Sequence, residues 1–479
     1  MVGCKSPNPQ PTSQPIFVMH PTHTSSRYQQ QRIVNYQPQC DSYQFFNVLT
    51  SDELLGTVED LLPEHRERLY PPTETLSMFL AQGMSADRSC QAVVNQAAVQ
   101  RLAGGLSSNS TFTGGYCKAR QRLPQEMVST LTREVGRLID SRIPDHWRWN
   151  NRPVRIVDGT TLTMPDTAAN QAAFPQQRGQ KPGLGFPICR VVGITCYSSG
   201  VLLNAAVGRF NGKGGDEQTL LRSIQDTLEA GDILLGDAFF STYFFMAAML
   251  EKGVDLVMEQ QGARRRSTDF RRGQKLGQKD HVIILMKPKI RPHWMTEDQY
   301  EQAPASIQIR ELKVSQKILV TTLVCVKTYP KEALKALYKS RWDVELDIRN
   351  IKQTLGMDML SCKTPEMAVK EIWVYLLAYN VIRLLMAQSA LLADLLPRTL
   401  SFKHCLQLWS SLLQKSVLIT DKQLEGLFNL MSQQIVGNRP GRIEPRAVKR
   451  RSKPFPLLVK PRAESRAQVR KYGHPRKLK

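Results

Sequence analysis

Residues 154–164 read Val154-Arg155-Ile156-Val157-Asp158-Gly159-Thr160-Thr161-Leu162-Thr163-Met164, a carboxylate set inside a run of apolar and β-branched residues. Such a run is a strand candidate. Taken alone, Asp158-Gly159 reads first as a turn dipeptide. Strand character continues on both sides of it, however, so the carboxylate would project from a sheet. An isolated acid on a core strand is costly unless a cation or a partner takes its charge.

Outward from this strand, 188–197 and 201–210 form a hairpin through Ser198, Ser199 and Gly200. Residues 217–228 repeat Leu220, Leu221, Ile224 and Leu228 at helical period, and Gly231 stops the run. A short buried strand, 233–235, ends at Gly236-Asp237; 243–250 reads as helix and 254–258 as strand. Asp237 therefore closes a buried strand, the place where open α/β sheets bind ligands. Capping the next helix is the alternative role, although Ser241 and Thr242 lie nearer to that helix. Three strands, helix, strand, helix, strand is the order of the ribonuclease H-like fold. The fold expected is thus α/β, a ribonuclease H-like mixed sheet, with acids from the first strand, the end of the fourth and a later helix.

The later helix is expected over 330–355. Tyr338, Arg341, Glu345 and Lys352 follow one another at spacings of three, four and seven, so at about 100° per residue they fall within an arc of about 60°. The apolar stripe of Leu337, Val344, Ile348, Ile351 and Leu355 runs beside them, which puts Glu345 at the border of the packed face. Glu345 alone would be a surface charge, and pairing with Asp343, Asp347 and Asp358 would account for both cations. Read together, Arg341 offers a bidentate phosphate contact, Lys352 a point charge, and Tyr338 a hydroxyl or a stacking face. Asp158, Asp237 and Glu345 are then three acids on neighbouring elements, the requirement for two divalent ions roughly 4 Å apart at a phosphodiester.

Between 259 and 329 the chain is too long for a bare loop. It holds Arg264, Arg265, Arg266, Arg271, Arg272, Lys275 and Lys279, and strand-like runs at 281–286, 306–314 and 317–325. An inserted β-rich subdomain over about 260–329 is expected.

Upstream, residues 1–40 are rich in Pro, Gln, Ser and Thr and are expected to be disordered. Residues 41–150 turn helical: Ser51 can cap a helix over 52–62, Thr73 starts another, Ser85 caps a third and Pro124 opens a fourth with Met127, Leu131, Val135 and Leu138 on one side. The basic stretch Lys118 to Arg122 suits this N-terminal helical domain either to DNA or to plain packing. The catalytic domain is expected over 151–400, followed by a helical region and basic tail over 401–479.

The 479 residues carry a formal charge of +23, which points to a polyanionic partner, DNA or RNA first. Much of the excess lies beyond residue 438, where Arg446, Lys449, Arg450, Arg451, Lys453, Arg470 and Lys471 face Glu444 and Glu464. Nine scattered cysteines without close pairs argue for a reduced compartment and against zinc. The N-terminus has no apolar core of signal-peptide type. The most apolar run, 372–396, is broken by Asn380, Arg383, Gln388 and Asp394, and reads as a buried helix, not a membrane span.

With Tyr338, Arg341, Glu345 and Lys352 meeting the tyrosine, arginine, glutamate, lysine signature, and Asp158 and Asp237 in their contexts, the chain resembles transposases of the IS4 family of bacterial insertion sequences. Similarity of texture runs over about 76–400. The resemblance implies a DDE catalytic domain using two Mg²⁺ (or Mn²⁺) ions, with Asp158, Asp237 and Glu345 as ligands. It implies end DNA held by Tyr338, Arg341 and Lys352, and cut-and-paste transposition, in the best-studied relatives through a hairpin. Trp294 is a possible counterpart of the insertion aromatic that stacks a flipped base, or else a core tryptophan. Partners implied are transposon-end and target DNA and a second copy in a homodimer, with no membrane and a cytoplasmic, nucleoid-associated location. A transposase-derived DNA-binding protein without cleavage, and a general nuclease of the same fold, are the alternatives.

Overall fold

A computed structural model describes residues 60–61, 70–85, 87–103, 110–212, 214–415, 421–437 and 458–473. Segment 1–40, most of the helix expected over 52–62, and tail residues from Arg446 to Lys453 lie outside them. The chain divides into two compact units, one of residues 1–142 with 374–435 and one of 143–373 with 436–479.

In the first unit the described helices include Pro72–Met84, Cys90–Ala103, Gly114–Arg122 and Gln125–Ser141. Pro124 precedes the last of these as expected, whereas Ser89, not Ser85, accepts from the first-turn amide of Ala92 at 3.0 Å. Met78, Val93, Val94, Ala97 and Tyr116 form a small core. The basic stretch is partly structural: Arg120 lies 4.7 Å over Phe79 and 5.1 Å over Tyr116 and donates to Gln82. Asn380 donates to the Thr132 carbonyl at 3.0 Å, fastening a buried helix to this group. That helix, Pro365–Leu392, is long and apolar enough to cross a membrane, but 89% of its most apolar window is buried inside the protein. Cys90, Cys117, Cys189, Cys196, Cys325, Cys362 and Cys405 are free.

The second unit is built on one nine-stranded mixed sheet in the order β3-β2-β1-β4-β5-β9-β8-β7-β6. In chain order the strands are β1 Val154–Thr163, β2 Ile188–Cys196, β3 Leu202–Arg209, β4 Ile233–Gly236, β5 Asp255–Glu259, β6 Gln274–Gly277, β7 Asp280–Met286, β8 Ser306–Val314 and β9 Lys317–Thr321. β1, β4 and β5 run parallel, and the β2–β3 hairpin extends β1 antiparallel. This is the ribonuclease H-like arrangement. The strands of the inserted segment continue the same sheet, because β9 pairs antiparallel with β5. β8 and β7 then pair in turn.

One face is apolar where β1, β4 and β5 meet the helices Lys331–Lys339 and Trp342–Arg349. Val154, Ile156, Ile233, Leu235 and Val257 pack there with Leu334, Leu337, Tyr338 and Val344. At about 25 cal/mol per Å² of apolar area, burial of these side chains is the main force fixing the helices to the sheet. The helix expected over 330–355 is segmented: a junction at Ser340-Arg341 separates two helices, and Asn350–Thr354 is a π-helical turn. At the junction the backbone bonds tighten to i→i−3 spacing, Arg341 to Tyr338 and Val344 to Arg341, which re-aims the side chains around Arg341.

Candidate active site

Strand alternation decides where the aspartates point. Val154 and Ile156 face the helix-covered side, so Asp158 does too, and the same rule carries Ile233 and Leu235 on to Asp237. The parallel register pairs Ile156 with Leu235. Asp237 is the first residue after β4, and it lies near enough to Asp158 for its charge to raise the Asp158 pKa. Asp158-Gly159 is not a turn, since both residues pair across to β2 at Gly193 and Val192. Nor does Asp237 cap the following helix: its carboxylate accepts from the Phe239 amide at 2.8 Å, and the helix begins only at Tyr243.

Arg341 joins the sheet to the helix. One terminal nitrogen lies 3.5 Å from Asp158 Oδ2 and the other 3.3 Å from Glu345 Oε1. Burial pushes the Asp158 carboxyl up to about 6; its Gly159 amide and Arg341 oppose this, while Asp237 and Glu217 add to it. Burial works against the Arg341 charge, but Tyr338, Asp158, Glu345 and Asp237 together hold its pKa above the ordinary arginine value. The Tyr338 hydroxyl is buried with no hydrogen-bond partner, and burial raises its pKa, with Glu259 and Asp237 adding and Arg341 opposing. Its nearest charged neighbour in electrostatic effect is the Arg341 guanidinium.

Of the residues singled out in the sequence, Asp158, Asp237, Glu345, Arg341 and Tyr338 therefore converge. Lys352 is held to the same strand, donating to the Thr161 carbonyl at 2.9 Å and pairing with Asp358 at 3.0 Å. The others lie on different elements. Arg264, Arg265 and Arg266 belong to the Gly262–Ser267 helix, where Arg264 pairs with buried Glu311 at 3.1 Å. Arg265 donates to the Gln316 carbonyl. Arg271 and Arg272 are exposed and pair with Asp269. Trp294 is 37% exposed, with the Arg222 guanidinium 4.0 Å from its ring centre.

Sequence reading gave no role to Glu217, the first residue of the Glu217–Arg222 helix. An Asp216-Glu217 pair opening the helix after the hairpin was the available signal.

Among the described residues, no three His, Cys, Asp or Glu side chains close at metal-ligand distance. The guanidinium of Arg341 stands instead between two of the acids, as a cation in their midst. An all-carboxylate oxygen set is the donor chemistry of hard divalent ions such as Mg²⁺ and Mn²⁺.

The family described as the transposase DDE domain matches residues 149–381, a range that contains all six of these residues. The transposase InsG for insertion sequence element IS4 of Escherichia coli (strain K12) is 30% identical over 315 residues, 64% of this chain and 69% of that protein. Among solved structures, a cryo-EM structure of the piggyBac transposase synaptic complex with hairpin DNA is similar at a TM-score of 0.40 and 9% identity, covering 84% of this chain and 86% of that one. A likeness of that size carries no argument, and the sequence relationship decides the matter: this chain belongs to the IS4 family of insertion-sequence transposases and is a DDE transposase, an enzyme that acts on DNA.

Proposed function

We propose that this enzyme moves an insertion sequence by a cut-and-paste route, cleaving the element's ends and transferring the freed strands to target DNA. The supporting observation is that Asp158 and Glu345 share the Arg341 guanidinium while Asp237, just past the end of β4, acts electrostatically on both Asp158 and Arg341. DDE transposases work with divalent metal ions; here Asp158, Asp237 and Glu345 are the residues to hold two Mg²⁺ (or Mn²⁺). When bound, such ions stabilise charge on the phosphate and lower the pKa of an attacking water.

The chain's own groups supply the rest. Arg341 can present its fork to a phosphate once the carboxylates no longer claim it. Tyr338 has a free hydroxyl to donate, and Lys352 adds positive charge beside β1. Arg264, Arg265, Arg266, Arg271 and Arg272 follow the DNA backbone, and Trp294 is the stacking face for an unpaired base in a hairpin route. The helical segment 41–150 grips DNA, the catalytic segment 151–400 cuts and joins it, and 401–479 adds helical and basic contacts. Two copies pair the ends in a homodimer, working on the nucleoid in the cytoplasm.

The test is strand cleavage on a duplex carrying the element's end, with Mg²⁺. Asp237→Asn is expected to abolish cleavage and leave DNA binding intact; cleavage retained in that variant would remove Asp237 from the site. Equal cleavage of unrelated duplexes by the unmodified chain would instead mark a general nuclease.

A further inference from the structure

Just beyond Val157 β4 ends at Gly236 and leaves the β4 side of β1 open, until Lys352 bonds that edge at Thr161 and residues 358–360 pair with it at Thr163. Arg341 and Glu345 approach this opening from the face of Asp158. By strand alternation Gly159 faces the other way, and there Glu217 lies against it. A methyl group at Gly159 would meet Glu217 Cδ at 2.5 Å, so the absence of a side chain is what lets the carboxylate come this close to β1.

Glu217 is poorly satisfied where it stands. Its charge partner, Arg190 on β2, is 3.6 Å away, beyond a good hydrogen bond. The Arg190 Nε that faces it has no hydrogen-bond partner. The next residue, Gln218, donates to the Phe239 carbonyl and so ties this helix to the loop that carries Asp237. Burial raises the Glu217 pKa, Arg190 lowers it, and the negative charges of Asp237 and Asp216 raise it further. A half-buried carboxylate held near two other acids with one weak counter-ion is costly, and a divalent cation would remove that cost.

We infer that Glu217 is a fourth carboxylate of the cation site, reaching it from the face opposite Arg341 and Glu345 by way of the opening past the end of β4, where Gly159 leaves room for it. This rests on the assignment of Asp158, Asp237 and Glu345 to that site. The role is to raise cation affinity, by direct ligation or through a bound water.

Mn²⁺ binding to the full chain without DNA, followed by the loss of the free-ion paramagnetic resonance signal, tests it without recourse to activity. Glu217→Gln is expected to weaken binding by about tenfold, the scale of loss seen for supporting groups at metal sites, without lowering the melting temperature of the metal-free protein. Gly159→Ala is expected to weaken it too, by displacing the carboxylate. Asp237→Asn serves as the reference. Weakened binding in Asp237→Asn with unchanged binding in Glu217→Gln would overturn the inference alone. Unchanged binding in Asp237→Asn would overturn the site assignment beneath it. A Glu217→Gln protein that melts lower yet binds Mn²⁺ normally would make Glu217 a structural residue and overturn the inference as well.

Discussion

Lys352 donates to the carbonyl of Thr161 at 2.9 Å, tying the π-helical turn after Glu345 to the strand of Asp158, three residues along. The lysine thereby sets the height of the helix over the sheet. Lys352→Met is expected to cost about 1 kcal/mol of stability, the scale of one hydrogen bond, and to weaken Mn²⁺ binding although Lys352 is no ligand. Calorimetric melting and Mn²⁺ titration check both effects. Unchanged Mn²⁺ affinity would restrict Lys352 to DNA contact.

The Asp158 carboxyl has a pKa of about 6 in the folded chain against 3.8 for the free group. Between those values the folded state binds more protons than the unfolded one, so stability falls as pH rises through this window. Asp158→Asn removes the penalty: it is expected to be more stable than the parent at pH 7.5, by at most about 3 kcal/mol. The difference should shrink as pH drops from 6 towards 4, which paired melting curves would show. Cation binding by the parent should weaken below pH 6 as protons compete.

Arg310 and Asp280 form a fully enclosed pair in the inserted part of the sheet, with nitrogens at 2.8 and 2.6 Å from the two carboxylate oxygens. Arg310→Met leaves Asp280 buried without its counter-ion. A loss of about 3–5 kcal/mol is expected, read as a lower urea midpoint, whereas the double change Arg310→Met with Asp280→Leu should recover much of it.

The arginines of the 264–272 cluster should separate by experiment. Arg264 serves Glu311, a carboxylate 1% exposed that also meets His281 at 3.0 Å. Arg264→Ala is expected to lower stability by about 1 kcal/mol, a figure discounted for its partly exposed guanidinium. Alanine at Arg266, Arg271 and Arg272 should leave the melting temperature unchanged, while each reduces the salt dependence of DNA binding by about one unit of slope if it meets a phosphate.

Alternation and period were sufficient to read most of the catalytic unit. The strands around Asp158 and Asp237 and the 306–314 strand have the expected residues, since a sheet buried on both faces imposes long apolar runs that no loop would carry. Less was legible where tertiary contacts compete with local preference. The break at Ser340-Arg341 follows from i→i−3 bonding beneath a packed face, and apolar spacing does not distinguish it from a continuous helix. Glu217 sat at a recognised helix start, but its meaning depends on a glycine 58 positions upstream.

The order of the elements, the polyanionic preference and the identity of the acids and cations are written in residue type and local spacing. Which of those charges meet depends on how the chain folds. The parallel pairing of β1 with β4 brings the end of β4, and with it Asp237, near Asp158, and the packing of Leu334, Leu337 and Val344 on the sheet brings Arg341 between Asp158 and Glu345. Electrostatic energy depends on distance through space and on burial, and both are fixed when the core closes.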